Sequence, residues 1–146
     1  MYKKVLIPLD GSELAECSLD HLRNLSQGNK IVEAILLHVL DPITWCREGC
    51  DFIATRNNQY REAEKYFDKI KSQLCAEGID TTREIFEGGF VASSIVDYAR
   101  ENAVDLIIIS SHGYTGMKRW FFGSVALKVL HESQVPVLLI RPESCR

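Results

Sequence analysis

The chain has 146 residues, 46% of them hydrophobic and 25% charged, with a formal net charge of −3 at pH 7. That length suits one soluble domain able to build its core without disulfides or metal, so residues 1–146 are expected to form a single unit. The acidic balance, with Lys and Arg scattered, argues against a general nucleic-acid binder, and no apolar stretch approaches a membrane span. Met1-Tyr2-Lys3-Lys4 leads into a short apolar run rather than a secretory leader, so the protein is expected in the cytoplasm. Five cysteines, odd in number and irregular in spacing, do not read as a secreted disulfide framework. Cys46 and Cys50 form a C-x-x-x-C pair that reads either as part of a metal site or as free thiols in a loop.

In chain order, Val5-Leu6-Ile7-Pro8-Leu9 predicts the first strand, and Ser12 is a plausible cap for a helix with apolar positions at Leu14, Cys17, His21, Leu22 and Leu25. Ile31 to Leu40 predicts the second strand. A long connection from about Asp41 to Asn58 follows, carrying Pro42, Trp45 and Gly49, and connections of that length are usually functional or disordered. Tyr60, Ala63, Phe67, Ile70 and Leu74 mark the second helix, closed by Gly78. Thr81 to Phe86 alternates polar and apolar as a third strand. Val91, Ile95, Ala99 and Ala103 mark a third helix, and Leu106 to Ile109 a fourth strand. Phe122, Val125, Ala126, Val129 and Leu130 mark the last helix before Val135 to Ile140, the fifth strand.

The alternation of strand and helix, with continuous apolar runs in the strands, predicts an α/β fold. It is an open, doubly wound, Rossmann-like five-stranded parallel sheet in the order 3-2-1-4-5, with helices on both faces. The third strand reads as an edge because alternate positions are polar. The fifth reads as an edge because Pro136 cannot donate a ladder hydrogen bond. A bare apolar edge invites pairing, so Val135 to Ile140 is expected to meet a second copy in a homodimer.

In such sheets ligands bind outside the carboxyl ends of the strands. After the first strand stands Asp10-Gly11-Ser12. After the fourth stands Ser110-Ser111-His112-Gly113-Tyr114-Thr115-Gly116, then Lys118 and Arg119, then Gly123-Ser124. Gly113 and Gly116 allow close backbone approach, and Gly123-Ser124 opens a helix whose free amides attract an anion. On residue chemistry alone, the segment reads either as a phosphate cradle or as a glycine-rich turn with a serine cap.

The run Ser110-Ser111-His112-Gly113, nine residues, then Gly123-Ser124 resembles G-x-x-G-x9-G-[ST], the ATP-binding signature of the universal stress protein family. Val5 to Ser12, Leu36-Leu37-His38-Val39 and Val135 to Ile140 resemble the same family, in the right order along nearly the whole chain. The resemblance implies an ATP-binding stress-response protein, a dimeric nucleotide sensor or adaptor, holding ATP, AMP or ADP with Mg²⁺ through the phosphates. It implies Asp10 beside base and ribose, the Val39 backbone at the adenine, and Gly113, Gly123, Ser124 and Val125 at the phosphates. Pro8, Ser110, His112 and Gly116 complete the candidate binding set. Two positions depart from the pattern. Ser110 replaces the first signature glycine, and Gly89-Phe90-Val91, preceded by an extra Gly88, stands where the family often has G-D-P.

Other chemistries lack their residues. The chain has no P-loop, no paired acids at Asp10, no dinucleotide glycine fingerprint and no His-x-Gly-His motif. His21 is expected to pack in the core or at its boundary, His38 to hydrogen-bond locally in a buried strand, and His131 to sit at a helix C-terminus. No Ser-His-Asp or Cys-His set assembles from spacing. A binding module is therefore the leading reading. The alternatives are slow ATP hydrolysis, with Asp10 or His112 orienting water, and a nucleotide-free interaction protein.

Overall fold

The computed structural model describes residues 2–28, 31–43, 49, 51–112 and 122–142. Its elements run β1 (Tyr2–Pro8), α1 (Glu13–Ser26), β2 (Ile31–Leu40), α2 (Phe52–Ala76), β3 (Thr81–Glu87), α3 (Val91–Glu101), β4 (Leu106–Ser110), α4 (Ser124–Glu132) and β5 (Val137–Ile140). The five strands pair in parallel in the order β3-β2-β1-β4-β5, as the sequence predicts.

Strand alternation divides the core. Val5, Ile7 and Leu36 point into one cluster with Leu19 and Leu22 of α1 and Phe67, Ile70 and Leu74 of α2. Leu6, Ile35 and Leu37 point into the other with Ile95 of α3 and Ala126 and Val129 of α4. Both faces of the central strands are thus covered, which is why they read as unbroken apolar runs. β1 pairs with β2 on one side (Ile7 opposite Leu36) and with β4 on the other (Leu6 opposite Ile107). The Lys3 and Lys4 amides donate to the Asp105 carboxylate at 2.7 and 3.1 Å, tying the start of β1 to the turn before β4.

Local chemistry ends the helices. After α2, the Ile79 amide returns to Leu74 O at 2.9 Å and the Gly78 amide to Cys75 O at 3.0 Å, with Gly78 at φ +78°. This is a Schellman closure, and the left-handed residue suits glycine. After α3, the Val104 amide returns to Ala99 O at 3.0 Å, but the left-handed residue is Ala103 at φ +52°.

Several boundaries differ from expectation. α2 starts at Phe52, capped by Asp51, whose carboxylate accepts from the Ile53 and Ala54 amides, so the connection expected to reach Asn58 ends with two turns of helix. β5 starts at Val137. Pro136 lies before it, and its carbonyl accepts from the Ile107 amide at 2.9 Å. Ala103 lies beyond α3. In α4 only Ala126 and Val129 are buried, whereas Val125 and Leu130 are exposed and Phe122 precedes the helix. His21 is half-buried, and His131 stands in the last turn of α4. Exposed Cys75 is free, and Cys17 is disulfide-bonded. Cys46 and Cys50 lie outside the described residues.

Candidate functional site

The carboxyl ends of β1, β2 and β4 open into a cleft of about 840 Å³, a volume in the range of small-molecule sites. Pro8, Asp10, Val39, Ser110, His112, Gly123, Ser124 and Val125 all line it, so the sheet gathers residues that lie far apart in sequence. Gly113, Gly116, Lys118 and Arg119 lie outside the described residues.

The turn after β1 is fixed by its own side chains. Gly11 adopts φ +87°. The Ser12 hydroxyl accepts from the Ala15 amide and caps α1, as expected. Asp10 Oδ1 accepts from both the Ser12 amide, at 2.9 Å, and the Ser12 hydroxyl, at 2.5 Å. The carboxylate is therefore held in one orientation at the cleft wall.

The end of β4 is held more tightly. Ser110 and Ser111 are buried. The Ser110 hydroxyl accepts from the His112 amide at 3.4 Å, which shows where the serine side chain goes in place of the signature glycine. The Ser111 amide donates to Ile140 O at 2.8 Å. Ser111 Oγ lies 2.9 Å from His112 Nδ1, while the buried His112 Nε2 has no hydrogen-bond partner among the described residues. Ser111 is 1% exposed, and among the described residues no carboxylate orients the histidine from its other nitrogen, so this serine–histidine contact lacks the third member of a catalytic triad there.

Gly123 answers the serine strand. Its amide donates to Ser111 O at 2.6 Å, and a Cβ built on it would lie 2.8 Å from that same oxygen. The expectation that the Gly123 amide is free for a ligand is therefore corrected. Glycine is needed here because two backbones meet, at an ordinary φ of −60°. The next amides, of Ser124, Val125 and Ala126, form the first turn of α4, and no side chain among the described residues caps them. They line the cleft as orphan donors at the positive end of the helix dipole.

On the β2 side, His38 packs edge-on against Phe67, with ring centroids 6.2 Å apart. Its Nδ1 is buried and has no partner among the described residues, so the expected local hydrogen bond at this nitrogen is absent. Burial pushes the imidazole pKa below its ordinary 6.5, with Asp10 and Asp41 opposing weakly, so the ring is mainly neutral at pH 7. Gly88, next to the departure from the family pattern, is also explained. A Cβ there would lie 2.3 Å from Ser94 Oγ and 2.7 Å from Val39 Cγ1, so the glycine lets β3 close against Val39.

The wall that sequence reading missed is α2. Asn58, Gln59, Glu62 and Tyr66 line the cleft from this helix. Arg56, only 8% exposed, anchors it. Its Nη2 donates to Asp41 O at 3.0 Å and pairs with Glu87 at 3.1 Å, and its Nη1 donates to Gln59 Oε1 at 3.0 Å. The available signal was spacing, since Arg56 lies seven residues before Ala63 and extends the buried stripe of α2.

A protein-family model described as the universal stress protein family matches residues 1–141. Universal stress protein MJ0577 of Methanocaldococcus jannaschii is 32% identical over 157 residues, covering 97% of this chain and 96% of its own. YxiE of Bacillus subtilis is 31% identical, covering 97% of this chain and 100% of its own. The solved structure of MJ0577 superposes with a TM-score of 0.86 at 37% identity, covering 97% and 96% of the two chains. A universal stress protein of Archaeoglobus fulgidus solved in complex with dAMP has the same fold, with a TM-score of 0.68 at 22% identity over 95% of this chain and 98% of that one.

Proposed function

The chain belongs to the universal stress protein family, and from that footing we propose that it works as one unit over residues 1–146 that binds ATP along the crest of its sheet. The single observation that carries this reading is the row of uncapped amides at Ser124, Val125 and Ala126 on the wall of an 840 Å³ cleft. Orphan helix donors in a concave site are satisfied by an anion, and a phosphate chain is the anion of matching size.

The phosphates lie at those amides, and Gly113 and Gly116, outside the described residues, are assigned to the same ligand. Asp10, fixed by Ser12, accepts from a ribose hydroxyl. Pro8 and the Val39 backbone flank the base, and Ser110 and His112 floor the site between. The dAMP complex of the Archaeoglobus fulgidus protein is a precedent for an adenine nucleotide on this fold. Mg²⁺ arrives on the phosphates. Among the described residues no group of three or more His, Cys, Asp or Glu forms a metal cage, and Mg²⁺ commonly keeps its waters and binds through phosphate oxygens.

Nucleotide occupancy is the signal, and the protein acts as a sensor or adaptor in stress response. The edge strand β5, with Val137, Leu138 and Leu139 half-buried in the single chain, pairs with a second copy. Among the described residues no helix is long and apolar enough to cross a membrane. We assign the protein to the cytoplasm.

The test is Ser124→Pro against Ser124→Ala, by calorimetric titration with ATP. Proline at the first helical position removes one donor while suiting the helix, and Gly123 at φ −60°, ψ 145° tolerates a following proline. The proline variant should bind ATP about tenfold more weakly than the alanine variant, at equal melting temperature. Equal affinities would defeat the phosphate assignment. Nucleotide released from denatured native protein, identified by mass spectrometry, reports ATP against AMP. A single-turnover assay separates retention from slow hydrolysis.

A further inference from the structure

The two sides of the cleft differ in charge. The first turn of α4 offers donors, whereas the α2 side carries the carboxylates of Asp41 and Glu62. A phosphate is repelled by the second and drawn to the first, so the uncharged end of a nucleotide belongs beside α2. The uncharged polar groups on that side are Gln59, Asn58, the Tyr66 hydroxyl and the neutral ring of His38.

Gln59 is the one whose chemistry is fixed. A glutamine amide is ambiguous until a partner of one kind binds it, and a guanidinium only donates. Arg56 Nη1 donates to Gln59 Oε1 at 3.0 Å, so that atom is the carbonyl and the free end of the side chain is the NH₂. Arg56 is itself immobilised, buried and held by Asp41 O and Glu87. The result is a pair of donors on an exposed side chain that lines a ligand-sized cleft.

We infer that Gln59 reads the heterocyclic base of the bound nucleotide by donating from its NH₂ to a ring nitrogen, and that Arg56 is the positioning residue that aims it. This rests on the nucleotide reading above and adds the residue that selects the base. A base with an acceptor nitrogen at that edge is favoured over one that presents an N–H there, because two donors facing each other leave both unpaired.

The experiment titrates full-length wild type, Gln59→Leu, Gln59→Glu and Arg56→Met with ATP, adenosine, ribose 5-phosphate and tripolyphosphate. Gln59→Leu removes the donors. Gln59→Glu removes them while keeping the acceptor for Arg56, so the latch survives. Both should weaken adenosine about five- to tenfold, the size expected for one hydrogen bond, and the uncharged Gln59→Leu should weaken ATP equally while leaving ribose 5-phosphate and tripolyphosphate unchanged. Arg56→Met should show the same pattern, and combining it with Gln59→Leu should add no further loss, which a merely structural role does not produce. Unchanged adenosine binding in both Gln59 variants overturns the inference, as does an equal loss with ribose 5-phosphate or tripolyphosphate in Gln59→Leu. Wild-type protein that binds neither ATP nor adenosine defeats the nucleotide reading itself, a result distinct from either.

Discussion

α2 and α4 lie on opposite faces of one sheet and wall the same cleft, yet they are held by different physics. α2 is 25 residues long and drives Ala63, Phe67, Ile70 and Leu74 into the core, with Arg56 bolting its first turns to the ends of β2 and β3. α4 is 9 residues long, buries only Ala126 and Val129, and leaves Val125, Leu127 and Leu130 exposed. Its entry is instead set by one backbone bond, from the Gly123 amide to Ser111 O. A wall held by packing resists displacement through lost burial, whereas a wall held by a main-chain contact depends on a single close approach. The donor row is thus presented by geometry, and the opposing wall by bulk.

That contrast can be broken at graded cost. Phe67 is fully buried between Tyr66 and His38, so Phe67→Ala should destabilise the chain by about 3–5 kcal/mol in urea denaturation. A loss below about 1 kcal/mol would mean that α2 does not depend on packing. Gly123→Ala puts a methyl against Ser111 O, 2.8 Å away with only backbone to yield. It should cost about 1–3 kcal/mol and weaken ATP binding by shifting α4, both read from melting with and without nucleotide.

The helix exits sharpen the same comparison. α2 ends on Gly78 and α3, which shares a face with α4, ends on Ala103, both left-handed. Ala103→Gly should stabilise by about 0.5–1 kcal/mol, since glycine removes the steric cost at positive φ. Gly78→Ala should destabilise by a similar amount. The smallest effect belongs to Leu130→Ser on the outer side of α4, within about 0.5 kcal/mol for the monomer. Sedimentation of the same variant checks whether that side also meets a partner, which a shift in the monomer–dimer balance would reveal.

Much of this was legible in the sequence. Four strands declared themselves as apolar runs and the third by its alternation; Asp10 and Ser110 followed from where the first and fourth runs end, Ser124 from the start of the last helix, and Val39 from the family resemblance alone. The start of α2 was not legible, because its first buried position is an arginine and Phe52 and Ile53, the apolar residues around it, are exposed. Hydrophobic periodicity cannot register a buried charge whose partners, Asp41 and Glu87, belong to other elements. α4 misled in the opposite direction, with an apolar period whose members are mostly exposed. The role of Gly123 was half-read. Its place at the start of the last helix was visible, but the group its missing side chain makes room for, Ser111 O, is set by the fold and not by neighbours in the chain.

The central position of β1 has a consequence for how the molecule is made. Its Lys4 amide waits for Asp105, 101 residues away, and its Leu6 for Ile107. A nascent chain emerging from the ribosome can assemble β1, β2 and β3 while one flank of β1 stays bare, an apolar template open to any passing strand. Only after β4 emerges does that flank close, so the crest of the sheet is completed late and the chain is most exposed to mispairing just before its cleft forms.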